Sequence, residues 1–302
     1  MSAVAAQDGP AAPGTARSTT GAPSLSQPRF STKGRGLGRL LTGLAWFAAF
    51  IFFAPVLWML MTSFKQEADA ASSPPTFFFT PTLEQYANVF TAEAGGYFLN
   101  SVIATVASTA LVLVLAVPAA YALSIRPIKR TQDALFFFIS TKMLPIVAVI
   151  MPIYVIAGNL RMLDNILTLI ILYTAMNLPI AVWMMRSFFL EVPAEVLEAA
   201  SMDGASLMLT MRRVLIPMVA PGLAATALIC VIFAWNEFFF ALNLTAANAA
   251  TAPIYLMSTM TSEGLFLAQL SAASVVASLP VVLAGWFAQK QLVRGLSMGA
   301  VK

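Results

Sequence analysis

Residues 191–217 read EVPAEVLEAASMDGASLMLTMRRVLIP, a charged, alanine-rich stretch inside a chain that is otherwise mostly apolar. It holds four of the thirteen acidic residues: Glu191, Glu195, Glu198 and Asp203. Apolar runs long enough to cross a bilayer, which takes about 20 residues in helix, lie on both sides of it. The stretch therefore reads as a folded loop in water between two membrane spans.

Of 302 residues, 59% are hydrophobic and only 10% are charged. A soluble domain carries about 25% charged residues, so this chain cannot cover a water-facing surface of its own. It reads as an all-α polytopic membrane protein. Six segments are long and apolar enough to span, at about 39–62, 98–123, 134–157, 166–185, 214–240 and 271–290. Pro55, Pro118, Pro145, Pro152, Pro179, Pro217, Pro221 and Pro280 fall within them. Proline is tolerated in a spanning helix whose neighbours satisfy the freed carbonyls, so a packed bundle with kinks is expected. Residues 1–36, rich in Ala, Gly, Pro, Ser and Thr, read as a disordered tail.

Six spans put both termini on one side. That side then carries Arg17, Arg29, Lys33, Arg35 and Arg39 in the tail, and Arg126, Lys129 and Arg130 in the second loop. Arg186, Arg212 and Arg213 follow in the fourth loop, and Lys290, Arg294 and Lys302 at the C-terminus. The other side has only Lys65 and Arg161, with Lys142 inside a span. An excess of Lys and Arg marks the cytoplasmic face. The basic balance is thus topological, no nucleic-acid partner is implied, and the 191–217 loop faces the cytoplasm.

The loop itself reads as helix, turn, helix. Pro193 suits a first helical turn, where its missing N–H costs nothing. Glu195 and Glu198 lie near the positive end of the helix dipole. Asp203-Gly204 ends the helix, because glycine accepts the left-handed conformation of such a stop. A second short helix is expected over about 205–214, closing on Arg212 and Arg213. Ala199, Ala200 and Ala205 offer a face that another protein could approach closely, and Glu198 and Asp203 supply charges for a clamp.

The run EAASMDGASLMLTMRRVLIPMVAP resembles the EAA motif of ABC-importer permeases, E-A-A-x-x-D-G-A followed by L-x-P. Glu198, Ala199, Ala200, Asp203, Gly204, Ala205 and Pro217 match, while Met211 stands where that family commonly has an aromatic residue. FAWNEFFFALNLT (233–245) and GWFAQKQLVRGLSMGAVK (285–302) are similar to carbohydrate-uptake permeases of the MalG type. STKMLP (140–145), LNLTAANAA and the C-terminal run look closest to their sorbitol/mannitol branch. The resemblance, over about residues 40–302, implies a type I importer permease fold (MetI/MalG-like) over residues 37–302, with a coupling loop at about 186–213. In that family the loop seats in a cleft of the ATP-binding subunit. Glu198 would make the polar contact there and Gly204 would set the turn. The implied partners are a second, MalF-like permease, two copies of the ATP-binding subunit, an extracytoplasmic substrate-binding protein and membrane lipid. The implied location is the bacterial inner membrane.

A P-loop needs a lysine directly after glycine. None of the six lysines has one, since the preceding residues are Thr32, Phe64, Ile128, Thr141, Gln289 and Val301. No cofactor is expected in this chain, so ATP and Mg belong to the partner ATPase. The sequence has no histidine and a single cysteine, Cys230, which excludes an intrachain disulfide and histidine-based catalysis or metal ligation.

Polar groups at membrane depth are functional candidates. Lys142 is compatible with hydrogen-bonding a polyol, with snorkelling, or with pairing to a partner's acid. Asn177 beside Pro179 suits either a pathway or an interhelical hydrogen bond. Asn236 and Glu237, after Trp235, suit the outer mouth of a pathway. The outer segments 63–97 and 246–270 suit either contact with the binding protein or simple connection. An ion-coupled secondary transporter is the alternative class, but it calls for internal two-fold repeats and midplane acids that this sequence does not show. A membrane enzyme would need a nucleophile, base or metal constellation, and none is present.

Overall fold

Each of the six apolar segments becomes helix, but two of them do not form one straight rod. The computed structural model describes residues 35–125, 129–261 and 264–299. All but the end of the expected tail lies outside these residues, as do Arg126, Glu263 and Lys302. The chain forms two units, Met1–Phe53 and Ala54–Lys302. In the first, the described side chains from Gly38 to Phe53 are all exposed. Trp46 and Phe52 are 74% and 84% accessible, as suits a helix bathed in hydrocarbon.

Helix α1 runs Arg35–Thr62. The short helices α2 (Glu67–Ala70) and α3 (Glu84–Val89) precede α4 (Ala92–Ser124). Then come α5 (Thr131–Lys142), α6 (Ile146–Asn159), α7 (Ile166–Leu190), α8 (Ala194–Met202) and α9 (Leu207–Thr210). A π-helical turn, Met211–Leu215, leads into α10 (Ile216–Met218) and α11 (Ala220–Trp235). The chain closes with α12 (Phe239–Leu244), α13 (Ala252–Ser258), the antiparallel strands β1 (Met260–Thr261) and β2 (Gly264–Leu265), and α14 (Leu267–Gly299).

Helices α1, α4, α7 and α14 are each long and apolar enough to cross a membrane as a single span. The expected third span is instead the pair α5 and α6, meeting at 90°, and the fifth is Leu207–Met218 and α11, meeting at 79°. Proline is the reason in both places. Pro145 sits at the N-cap of α6, and the residue before a proline is pushed out of helical conformation. Val219, between Pro217 and Pro221, is the residue at which the second pair turns. The expected kinks are thus full corners. Lys142, expected about two turns inside a continuous helix, is the last residue of α5 and lies exposed at the first corner.

The core is the α4–α7–α11 contact. Ala116 and Ala120 of α4, with Ala181, Val182 and Met185 of α7, are fully buried. Lipid is as apolar as leucine, so helices in a bilayer associate through close packing of small residues rather than through escape from water. Helix α11 approaches α7 closely at Gly222, where a Cβ would lie 2.2 Å from the Phe188 ring. Only glycine fits there without displacing that ring. Directional bonds add to the packing: Trp235 Nε1 donates to the Ala277 carbonyl of α14, and Arg186 Nε to the Leu123 carbonyl of α4.

Candidate functional site

The 191–217 stretch forms two helices joined by a tight stop. Pro193, extended at φ −60° and ψ 135°, caps α8, and Glu195 occupies its first turn. Gly204 has φ +74°, the left-handed region. Its N–H donates to the Ser201 carbonyl, and the Ala205 N–H donates to the Ala200 carbonyl, each at 3.0 Å. This pair of bonds is a Schellman stop, which places Ala200 and Ala205 at the two positions whose side chains usually close it. Ala200 is accordingly buried, whereas Ala199 is exposed, so the expected alanine face is split between an inner and an outer side. Glu198, Asp203 and Gly204 are exposed. The second helix starts later than expected, with the Ser206 hydroxyl accepting from the Leu209 N–H, and it continues through the π turn instead of closing at Arg213.

Leu197 and Met211 fasten this hairpin to a core of Tyr121 from α4, Phe189 from α7, and Leu215 and Val219. Beside it, a groove of about 900 Å³ runs between Val114, Pro118 and Tyr121 on α4 and Met208, Met211 and Ile216. The hairpin is therefore a projection with a charged outer side and an apolar inner seat.

The opposite end of the bundle is held by polar bonds. The Asp164 carboxylate, in the α6–α7 turn, accepts from the backbone N–H groups of Ala246, Ala247, Asn248 and Ala249 at 2.8–3.2 Å. It also accepts from the Asn248 side-chain amide at 2.8 Å. Partial desolvation pushes this carboxyl up, but the converging N–H donors outweigh it and hold the group at about 2. From the other side, Asn100 Nδ2 donates to the carbonyls of Asn248 and Ala250, and the Ser101 hydroxyl accepts from the Ala252 N–H. Lys65 is also buried here: its ammonium donates to the Thr76 carbonyl and lies 4.8 Å from the Trp58 ring centroid and 5.3 Å from that of Phe79. Glu67 accepts from the N–H groups of Ala268 and Gln269, capping α14. Segment 63–97 is thus folded onto its neighbours through these bonds.

The residues matched by the model for binding-protein-dependent transport system inner membrane components are 112–297, which include the whole hairpin. The chain belongs to that family. This permease is 38% identical over 276 residues to "Probable ABC transporter permease protein y4oR" of Sinorhizobium fredii, covering 90% of this chain and 99% of the relative. It is 32% identical to the diacetylchitobiose uptake system permease protein DasC of Streptomyces coelicolor, over 87% of this chain and 95% of that one. Among solved structures it matches a bacterial ABC transporter involved in import of the acidic polysaccharide alginate. That match has a TM-score of 0.72 and 25% identity, over 88% of this chain and 100% of the other. The permease is therefore an ABC-importer inner-membrane component with the MetI-like helical fold.

The four pathway candidates of the permease sit in different settings, two buried and two exposed. Asn177 is fully buried and donates to the Cys230 carbonyl at 3.5 Å, a bond between α7 and α11. Glu237, expected at an open mouth, is only 7% exposed and accepts from the N–H groups of Phe240 and Ala241, capping α12. A carboxylate near that depth is satisfied more readily by helix N–H groups than by lipid. Asn236 is exposed and lines a cavity of about 280 Å³ with Trp235, Ser274 and Ser278. Lys142 is exposed at the corner after α5. Sequence reasoning overlooked Asp164, whose signal was faint: an Asp-Asn pair before an apolar run, with Asn165 capping α7.

Proposed function

We propose that this permease carries a carbohydrate through the inner membrane, driven by a separate ATPase that grips the 191–217 hairpin from the cytoplasm. One observation carries the reading. The hairpin projects the unburied Glu198, Asp203 and Gly204 into water while its inner side is fixed to α4, α7 and the corner before α11. Force applied to Glu198 and Ala199 would reach that core through Leu197 and Met211. Ala200 and Ala205 serve the same site by shaping its turn. The fourteen basic residues assigned to this side support its cytoplasmic location.

The partners in this reading are two ATP-binding subunits, a second MalF-like permease and an extracytoplasmic binding protein. Relatives named for diacetylchitobiose and for trehalose/maltose support a sugar as cargo. A sorbitol- or mannitol-type polyol is the narrower form, supported by STKMLP and the C-terminal run. Lys142 and Asn236, the two exposed candidates, are the hydroxyl-binding groups of choice, with Asn177 tying α11, which ends at Asn236, to α7.

The test is Glu198→Lys in the assembled transporter reconstituted in vesicles. Uptake should fall by about tenfold or more, as expected when a central interface charge is reversed, while membrane insertion persists. Normal uptake and normal stimulation of ATP hydrolysis would overturn the coupling role. Thermal-shift screening of the binding protein against sugars and polyols decides the cargo.

A further inference from the structure

We infer that Asp164 is a positioning residue that presents the segment 245–250 as a rigid docking tip for the extracytoplasmic binding protein. The inference rests on the importer reading above and adds to it a residue in the α6–α7 turn.

Four consecutive backbone N–H groups, those of residues 246–249, point at one carboxylate. Successive amides curved in this way form an anion-binding concavity. Here the anion is a side chain of the same chain, brought from 82 to 85 positions away. Asp164 and Arg161 both adopt left-handed backbone conformations, φ 52° and 54°, although neither is glycine. Aspartate tolerates that region, but for Arg161 it costs about 1 kcal/mol or more, so the turn accepts strain at Arg161 to deliver that carboxylate. The Asp164 N–H donates to the Leu244 carbonyl as well, so the turn holds the end of α12 together with the segment after it.

What is held is a small surface. Ala246, Ala247 and Asn248 are exposed, whereas Ala249, Ala250, Thr251 and Ala252 are buried beneath them. A tip of short side chains has no bulk with which to hold its own shape, and its inward N–H groups would otherwise require water. Asn100 and Ser101 brace it from α4. A prefixed tip binds without first losing conformational freedom, and preorganisation of this kind appears as affinity. Because the tip is joined to α4, to the α6–α7 turn and to α12, a protein seated on it would bear on all three.

Asp164→Asn is the decisive variant, since the amide keeps one acceptor oxygen and the size of the side chain. In the assembled transporter, the binding-protein concentration giving half-maximal uptake should rise by about tenfold, equivalent to ~1.4 kcal/mol. The maximal rate at saturation should change much less. A nitroxide on Ala247→Cys should be immobilised in the parent and mobile in Asp164→Asn, and Asp164→Glu should restore part of both effects. An unchanged half-saturating concentration, or a label that stays immobile, would overturn the inference. A fall in maximal rate alone would make Asp164 merely structural and overturn it equally. If the parent shows no dependence on a binding protein, the importer reading fails instead.

Discussion

The two ends of this bundle are fastened by opposite means. The hairpin at residues 191–217 is seated by apolar side chains, Leu197 and Met211 against Tyr121 and Phe189, and its polar groups point outward. At the other end, polar groups point inward: one carboxylate collects backbone N–H groups, one lysine lies between aromatic rings, and one glutamate caps a helix. Apolar contacts are non-directional and allow small rotations, whereas hydrogen bonds are fixed in distance and angle. The hairpin proposed as a handle is thus built to tolerate movement, and the tip proposed as a docking platform is built to keep its shape.

Breaking the hairpin turn should give the largest effect. Gly204→Pro demands a φ near −65° where the chain has +74°, and uptake should be abolished in a transporter that still inserts. Gly204→Ala, strained by about 1–2 kcal/mol in the left-handed region, keeps the N–H that donates to Ser201 and should give partial loss, so the pair grades the turn from strain alone to strain with a lost hydrogen bond. Next comes Gly222→Leu, which drives a side chain into the Phe188 ring. Overpacking of this kind costs about 1–3 kcal/mol, and the detergent melting temperature should drop, with Phe188→Ala recovering part of it. An unchanged melting temperature would show that α7 and α11 can separate freely.

A smaller effect tests the platform. The Asp164 carboxyl is held at about 2, below its ordinary 3.8. A group lowered on folding contributes stability in full above its unfolded value and loses it as pH falls through the folded one. The label on Ala247→Cys should therefore stay immobile down to about pH 4, the ordinary carboxylate value, and loosen only as pH approaches 2. Loosening centred above pH 4 would contradict the hydrogen-bonded carboxylate. The smallest effect is expected from Lys142→Met, which should alter the preference among polyols while leaving assembly intact. An unchanged substrate profile would remove Lys142 from the pathway.

Span count and helical class were legible because about 20 apolar residues in a row have few other uses. The hairpin was legible because Asp203-Gly204 is a local signal, read within a few residues. The corners at Pro145 and Val219 were only half legible: proline announces a break, but the angle is set by the neighbours packed against it. Asp164 and Gly222 were not legible, since one acts on residues 82 or more positions away and the other matters only where Phe188 lies over it. Asn177 and Glu237 were half legible for a related reason: the interhelical bond of Asn177 was one of its two readings, and the helix end under Glu237 was not foreseen. A polar residue at membrane depth signals a partner, and sequence does not say whether that partner is cargo or backbone.

The π turn at Met211–Leu215 carries one residue more than the α-helical winding around it. One turn of π-helix covers about the same rotation as one turn of α-helix with one residue fewer, so removing a single residue there would let the segment relax into ordinary helix with the acidic hairpin still facing as before. A second deletion would find no such slack and would swing the hairpin by about 100°, the rotation of one α-helical residue. The π turn is thus the place where this loop can lose one codon without changing its bearing.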